Sequence, residues 1–160
     1  MHSWVYDPHS GGVKIPTAVQ QSIERRVRSY ADAHYGGKFT RLELRFRSMF
    51  CYIDAYIEPM EPTASLLLAL QETREQYLQR CRNVPLHLCR LRFFGDEDRW
   101  SMAFYTYSNE KYEPCIFDNG TFHGTPEEAF ETAAVSTSKT SEFSPQMIIT
   151  ARRSVNVLEP

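Results

Sequence analysis

Leu86-His-Leu-Cys-Arg-Leu-Arg-Phe-Phe94, Trp100-Ser-Met-Ala-Phe-Tyr-Thr-Tyr107 and Tyr112-Glu-Pro-Cys-Ile-Phe117 follow one another with only two polar turns between them. The turns are Gly95-Asp-Glu-Asp-Arg99 and Ser108-Asn-Glu-Lys111. Aromatic-rich runs of this length, punctuated by turn residues, predict three adjacent antiparallel strands in a meander. Such a sheet has two faces, and burying one of them calls for amphipathic elements elsewhere in the chain.

Those elements stand on either side. From Thr17 the spacing is helical, with Val19, Ile23, Val27 and Tyr30 on one face and Arg25, Arg26, Arg28 and Asp32 elsewhere. Thr17 and Gln20 predict a capping box, and Gly36-Gly37 a stop. Phe39 to Arg47 then alternates, Leu42, Leu44 and Phe46 opposing Arg41, Glu43, Arg45 and Arg47. Across a turn at Ser48-Met49, Phe50 to Glu58 sets Cys51, Ile53, Ala55 and Ile57 against Tyr52, Asp54, Tyr56 and Glu58. The two runs pair as a hairpin, which brings the arginines onto the same wet face as Asp54 and the tyrosines.

Pro59 and Pro62 break the sheet, and a second helix is expected to start near Thr63 and to end before Asn83-Val84-Pro85. After the meander, Asp118-Asn-Gly120 predicts a tight turn that lets Thr121-Phe-His123 pair briefly. Thr125-Pro-Glu-Glu128 opens a third helix whose Ala129, Phe130, Ala133 and Ala134 can pack. Residues 1–14 read as an arm. Beyond Val135 the Ser/Thr-rich composition reads as a linker and tail over 136–160, with short strands at Met147 to Ala151 and Ser154 to Leu158.

The expectation is a two-layer α+β domain over residues 1–135: a mainly antiparallel, curved sheet of about five strands packed against two or three helices. Its sheet would wrap the first helix, by analogy with cystatin-like folds. The length of 160 residues and an apolar content of 42% suit one core built without disulfide or metal. A net charge of -2 supplies no overall field toward nucleic acid or anionic lipid. Cys51, Cys81, Cys89 and Cys115 form no C-x-x-C pair and read as free thiols in a reducing compartment. With no secretory signal and no apolar run long enough to span a bilayer, a cytoplasmic protein without membrane contact is expected.

The leading functional reading is a non-enzymatic binding module that uses Arg41, Arg45, Arg47, Tyr52, Asp54 and Tyr56, with Arg90 or Arg92 extending the patch. Aromatic and guanidinium groups have the composition of an interface, so a protein partner or a second copy is expected, with single-stranded nucleic acid as the other class. Against it stands a solvated sheet face whose arginines simply pair with Glu43, Asp54 and Glu58. The rival is an enzyme or small-ligand binder with a pocket between the sheet and the first helix, using Asp54, Glu58, His87 or His123. One form of it is a metal-dependent hydrolase drawing on Asp54, Glu58 and Glu43.

Weaker signals are the Asp96-Glu-Asp98 turn as a cation site, His2, Asp7 and His9 as metal ligands, and His87 with Cys89 as an imidazole-activated thiolate. Each has a plainer reading as a solvated turn, a mobile surface residue or a strand neighbour. No cofactor-binding pattern occurs: phosphate-binding glycine loops, nucleophile elbows and H-E-x-x-H are absent.

The opening Met-His-Ser-Trp-Val-Tyr-Asp-Pro-His-Ser-Gly-Gly and the stretch Cys89-Arg-Leu-Arg-Phe-Phe-Gly-Asp-Glu-Asp-Arg-Trp-Ser-Met-Ala-Phe-Tyr-Thr-Tyr-Ser resemble a family of small, uncharacterised bacterial proteins with no known activity. The likeness spans most of residues 1–135. It implies a bacterial origin and one intact domain, and it carries over no activity and no site residue.

Overall fold

The computed structural model describes residue 7 and residues 9–139. Helix α1 (Thr17–Tyr35) leads into β1 (Arg41–Arg47) and β2 (Phe50–Tyr56), two short helices α2 (Ala64–Leu70) and α3 (Arg74–Arg82), then β3 (Leu86–Phe93), β4 (Trp100–Thr106), β5 (Lys111–Cys115) and α4 (Pro126–Lys139). The strands form one open antiparallel sheet in the order β1-β2-β3-β4-β5. The architecture is the expected two-layer α+β arrangement.

Alternation decides which face is dry. Leu42 on β1, Cys51, Ile53 and Ala55 on β2, Cys89, Leu91 and Phe93 on β3, and Trp100 and Met102 on β4 are buried together with Ile23, Val27 and Ala31 of α1 and Ala129, Phe130, Ala133 and Ala134 of α4. The helices α1 and α4 pack on this one face and on each other. Phe130 is the hinge of that contact, edge-on to Tyr30, Tyr35 and Phe39 at 5.6–6.1 Å. At the sheet's far end Arg26 of α1 donates to Glu127 and Asp98, so the Asp96-Glu-Asp98 turn is tied to both helices.

Four local readings change. Helix α1 has Pro16 as its N-cap and no side-chain capping bond; Gln20 Nε2 instead donates to the Ile15 carbonyl at 3.2 Å. The single second helix is two, because Gln71 adopts a left-handed conformation (φ 55°) and Thr73 with Gln76 forms a complete capping box that starts α3 afresh. Leu70, Tyr77 and Leu78 close a small core of their own between them. Helix α4 runs past Val135 to Lys139, into the expected linker, and the Ser136 and Thr137 hydroxyls donate back to the carbonyls of Thr132 and Ala133 within its last turn. The expected strands at 147–151 and 154–158 lie outside the described residues, as does His2.

The most consequential change is in β3. Ile53 pairs with Cys89 but Asp54 pairs with His87, so Leu88 is an extra residue and the strand carries a bulge. His87 and Cys89 therefore point to opposite faces, which removes the imidazole–thiol pairing that was a weaker signal in the sequence.

Candidate functional site

The face of the sheet turned away from α1 and α4 is built in rows across the strands. Arg47, Phe50, Arg92 and Ser101 form one row; Arg45, Tyr52, Arg90 and Ala103 the next; Glu43, Asp54 and His87 a third. Tyr105 and Tyr112 pair across β4 and β5 beside them. Counting the charged outward positions, Arg41, Arg45, Arg47, Arg90 and Arg92 oppose Glu43 and Asp54, which is five against two and a net of +3. The whole chain carries -2, so positive charge is concentrated on this face.

At its centre is Asp54, 3% exposed. Its Oδ2 accepts from Arg45 Nη2 at 2.9 Å and Nε at 3.2 Å, and its Oδ1 lies 2.7 Å from His87 Nδ1. A carboxylate oxygen at that distance assigns the hydrogen to Nδ1, leaving Nε2 as the ring nitrogen that Asp54 does not engage. The His87 ring lies 4.7 Å from Tyr105 and 6.3 Å from Tyr107, and the Tyr107 hydroxyl accepts from the His87 backbone N–H at 3.2 Å. Arg45, Arg47, Tyr52, His87, Tyr105 and Tyr112 line a recess of about 480 Å³. The Tyr112 hydroxyl is buried and has no hydrogen-bond partner among the described residues.

Electrostatics follow from this packing. Burial works against the Arg45 charge, but the Asp54 carboxylate and its hydrogen bonds outweigh it, and the guanidinium is held more firmly protonated. Burial, reinforced by Asp54, pushes the Tyr112 phenol up, and burial does the same to Tyr105 and Tyr107. Arg92 moves the other way: burial and then the like charge of Arg90 lower it. Both guanidiniums lie over the Phe50 ring, at 4.4 Å for Arg90 and 4.9 Å for Arg92.

The predicted site residues divide. Arg45, Tyr52 and Asp54 meet in the centre, with Arg47 at the rim. Tyr56 is buried, capped by Arg41 at 3.8 Å and donating to Glu43 at 3.0 Å, so these two stand apart from the recess. Of the rival set, Asp54 and His87 converge, whereas Glu58 pairs with Arg82 and His123 packs on Phe94. The recess is also not where the rival placed it. A hollow that α1 helps line, beside β1, holds about 200 Å³, and a larger one, about 760 Å³ and mainly apolar, lies at the strand ends beside the last turn of α4. Asp54, Glu43 and Glu58 are each taken by a different partner, and no three His, Cys, Asp or Glu among the described residues converge as metal ligands.

Cys89 is fully buried and its thiol is raised by that burial, as befits a core residue. Among the described residues no helix is long and apolar enough to cross a membrane. Residues that the sequence reading left out are Phe50, Tyr105, Tyr107 and Tyr112. The alternation of Tyr105 and Tyr107 was a usable signal; their meeting with His87 depends on the bulge and had none.

Comparison with protein-family models, with curated proteins and with solved structures yields no match to this chain.

Proposed function

We propose that the chain is a binding module whose outward sheet face takes an anionic partner. Arg45, Arg47, Arg90 and Arg92 supply the charge, and Phe50, Tyr52 and Tyr112 the apolar ground between them. The observation that carries this reading is the segregation of charge: a net of +3 on one sheet face of a chain whose total is -2. Arg90 and Arg92 share one phenylalanine and the charge of Arg90 works against that of Arg92, so an anion set against both relieves a repulsion already present.

An acidic protein surface suits this face better than single-stranded nucleic acid. Bases need open ring faces on which to stack, and here guanidiniums already cover Phe50, Tyr52 and Tyr56. The test is fluorescence polarisation with a labelled decamer of glutamate and, separately, of deoxythymidine, at roughly 50 and 200 mM salt. The peptide should bind more tightly, weaken with salt, and be lost in the Arg47→Glu/Arg90→Glu variant. Tighter binding of the oligonucleotide would transfer the face to nucleic acid. No salt-dependent binding of either refutes the reading.

A further inference from the structure

We propose that the recess between Arg45 and Tyr112 is a proton-transfer site for a small, flat molecule bearing one anionic group, with the His87 imidazole as its base and Asp54 as the residue that positions it. The anchoring of the anionic group rests on the binding reading above; the proton transfer does not.

Three features on the open face converge on this chemistry. The carboxylate of Asp54 is buried and fixes the His87 ring through Nδ1 at 2.7 Å, so the orientation of Nε2 is set before any ligand arrives. Tyrosine rings wall the recess: Tyr105 lies 5.1 Å from Tyr112, which lies 5.4 Å from Tyr52, all edge-on to one another. Aromatic walls of this kind suit a flat ring as the body of the ligand. The Tyr112 hydroxyl, sealed from solvent with no partner among the described residues, becomes a donor for an oxygen that gains charge once its ring shifts to open it to the recess.

In the step itself the Nε2 lone pair takes a proton from a carbon next to a ligand carbonyl. The N–H bond forms as the C–H bond breaks, and the freed electron pair moves onto the carbonyl oxygen as an enolate. Tyr112 donates to that oxygen, Asp54 steadies the imidazolium through Nδ1–H, and Arg47 holds the ligand's permanent anionic group. Where the ligand has a carbon–carbon double bond next to that carbon, the enolate is conjugated with it, and return of the proton from Nε2 to the far end of the double bond gives the conjugated isomer. Nothing is oxidised or reduced, so no co-reactant is required.

The probe is nitrobenzisoxazole, a flat molecule that opens when a base removes its ring C–H, the N–O bond breaking to give a nitrile and a coloured phenolate. The full chain should accelerate the opening over buffer and over urea-unfolded chain. His87→Gln should lower the rate by about 100-fold. Benzoate should inhibit competitively, and benzyl alcohol should not. Long-range proton–nitrogen correlation NMR on the unaltered chain needs no folded variant: His87 should carry its hydrogen on Nδ1, and Asp54→Asn should mix the tautomers. An Nε2–H tautomer in the unaltered chain, or unchanged ring opening in folded His87→Gln, overturns the proposal. Glutamate-peptide binding without ring opening overturns proton transfer and leaves the binding face standing. Ring opening without peptide or benzoate binding does the reverse.

Discussion

Removing Arg45 should destabilise the fold more than removing Asp54, although Arg45 is the exposed member of the pair. The Arg45 side chain is 50% exposed and Asp54 only 4%. With Asp54→Ala, Arg45 swings into water and His87, 26% exposed, is partly rehydrated, so water replaces much of what their hydrogen bonds to Asp54 supplied and the net loss is that of about one charged hydrogen bond and a small cavity. That amounts to about 2 kcal/mol, the lower part of the range for such bonds. With Arg45→Ala the carboxylate remains out of water with only His87 to meet it, and the cost rises to about 3 kcal/mol, the low edge for breaking a buried pair. If the two acted independently the double variant would lose about 5 kcal/mol; with the buried charge gone it should lose only about 2–3 kcal/mol. Urea unfolding followed by circular dichroism measures all three, and in a chain of this length the single variants should melt lower by about 4–12 °C. A milder Arg45→Ala than Asp54→Ala, or additivity in the double variant, would refute the claim that Asp54 is a buried charge held by its two partners.

Other consequences follow from packing and protonation. Cys51 and Cys89 are fully buried and raised by it, while burial pushes half-buried Cys115 up to about 11 and raises Cys81 as well. At pH 8 a disulfide reagent should therefore label Cys81 and Cys115 slowly and the other two only in denaturant; four equal rates would contradict the burial. Burial lowers His9 and His123 from the ordinary imidazole value of 6.5, so the folded chain binds fewer protons there than the unfolded one. Their share of stability is present above that value and is lost as pH falls below it, and His9→Gln/His123→Gln should flatten this part of the pH–stability curve. A methyl group at Gly124 would sit 2.7 Å from both the buried Phe117 ring and a Glu128 carboxylate oxygen, so Gly124→Ala should cost about 1–3 kcal/mol by the same unfolding assay.

Elements whose pattern and packing agree were legible in the sequence. The alternation of Arg41 to Arg47 against Phe50 to Tyr56 led directly to the observed hairpin, and the three aromatic runs led to β3, β4 and β5 in their actual order. What failed was a matter of local chemistry competing with periodicity. The capping box of Thr73 and Gln76 could be seen in the sequence, yet the helical spacing from Leu67 to Cys81 runs straight through the break. The Ser/Thr composition after Val135 suggests a linker, but a helix already packed through Ala129, Phe130, Ala133 and Ala134 continues to Lys139, with the Ser136 and Thr137 hydroxyls bonded to its own carbonyls. Half of the central site was visible, because Arg45, Tyr52 and Asp54 share a face by simple alternation. His87 was placed by the same alternation on the face of Cys89, and that was its error.

The reason lies in the run Leu86-His-Leu-Cys-Arg-Leu. Leu86, Leu88, Cys89 and Leu91 are all buried, and two of them, Leu88 and Cys89, are adjacent. A strand that kept strict alternation from the Ile53–Cys89 pair would expose Leu88 beside Asp54 and at the same time carry His87 into the core opposite Ala55. Inserting one unpaired residue avoids both: the ladder slips between Ile53 and Asp54, both leucines stay inside, and the imidazole emerges against the carboxylate. The apolar demand of the core thus sets the position of the polar pair on the opposite face. The buried carboxylate favours the same register, since without His87 it would keep Arg45 alone as a side-chain partner among the described residues. Packing and polar satisfaction select one slip of the strand, and the Asp54–His87 contact is its product.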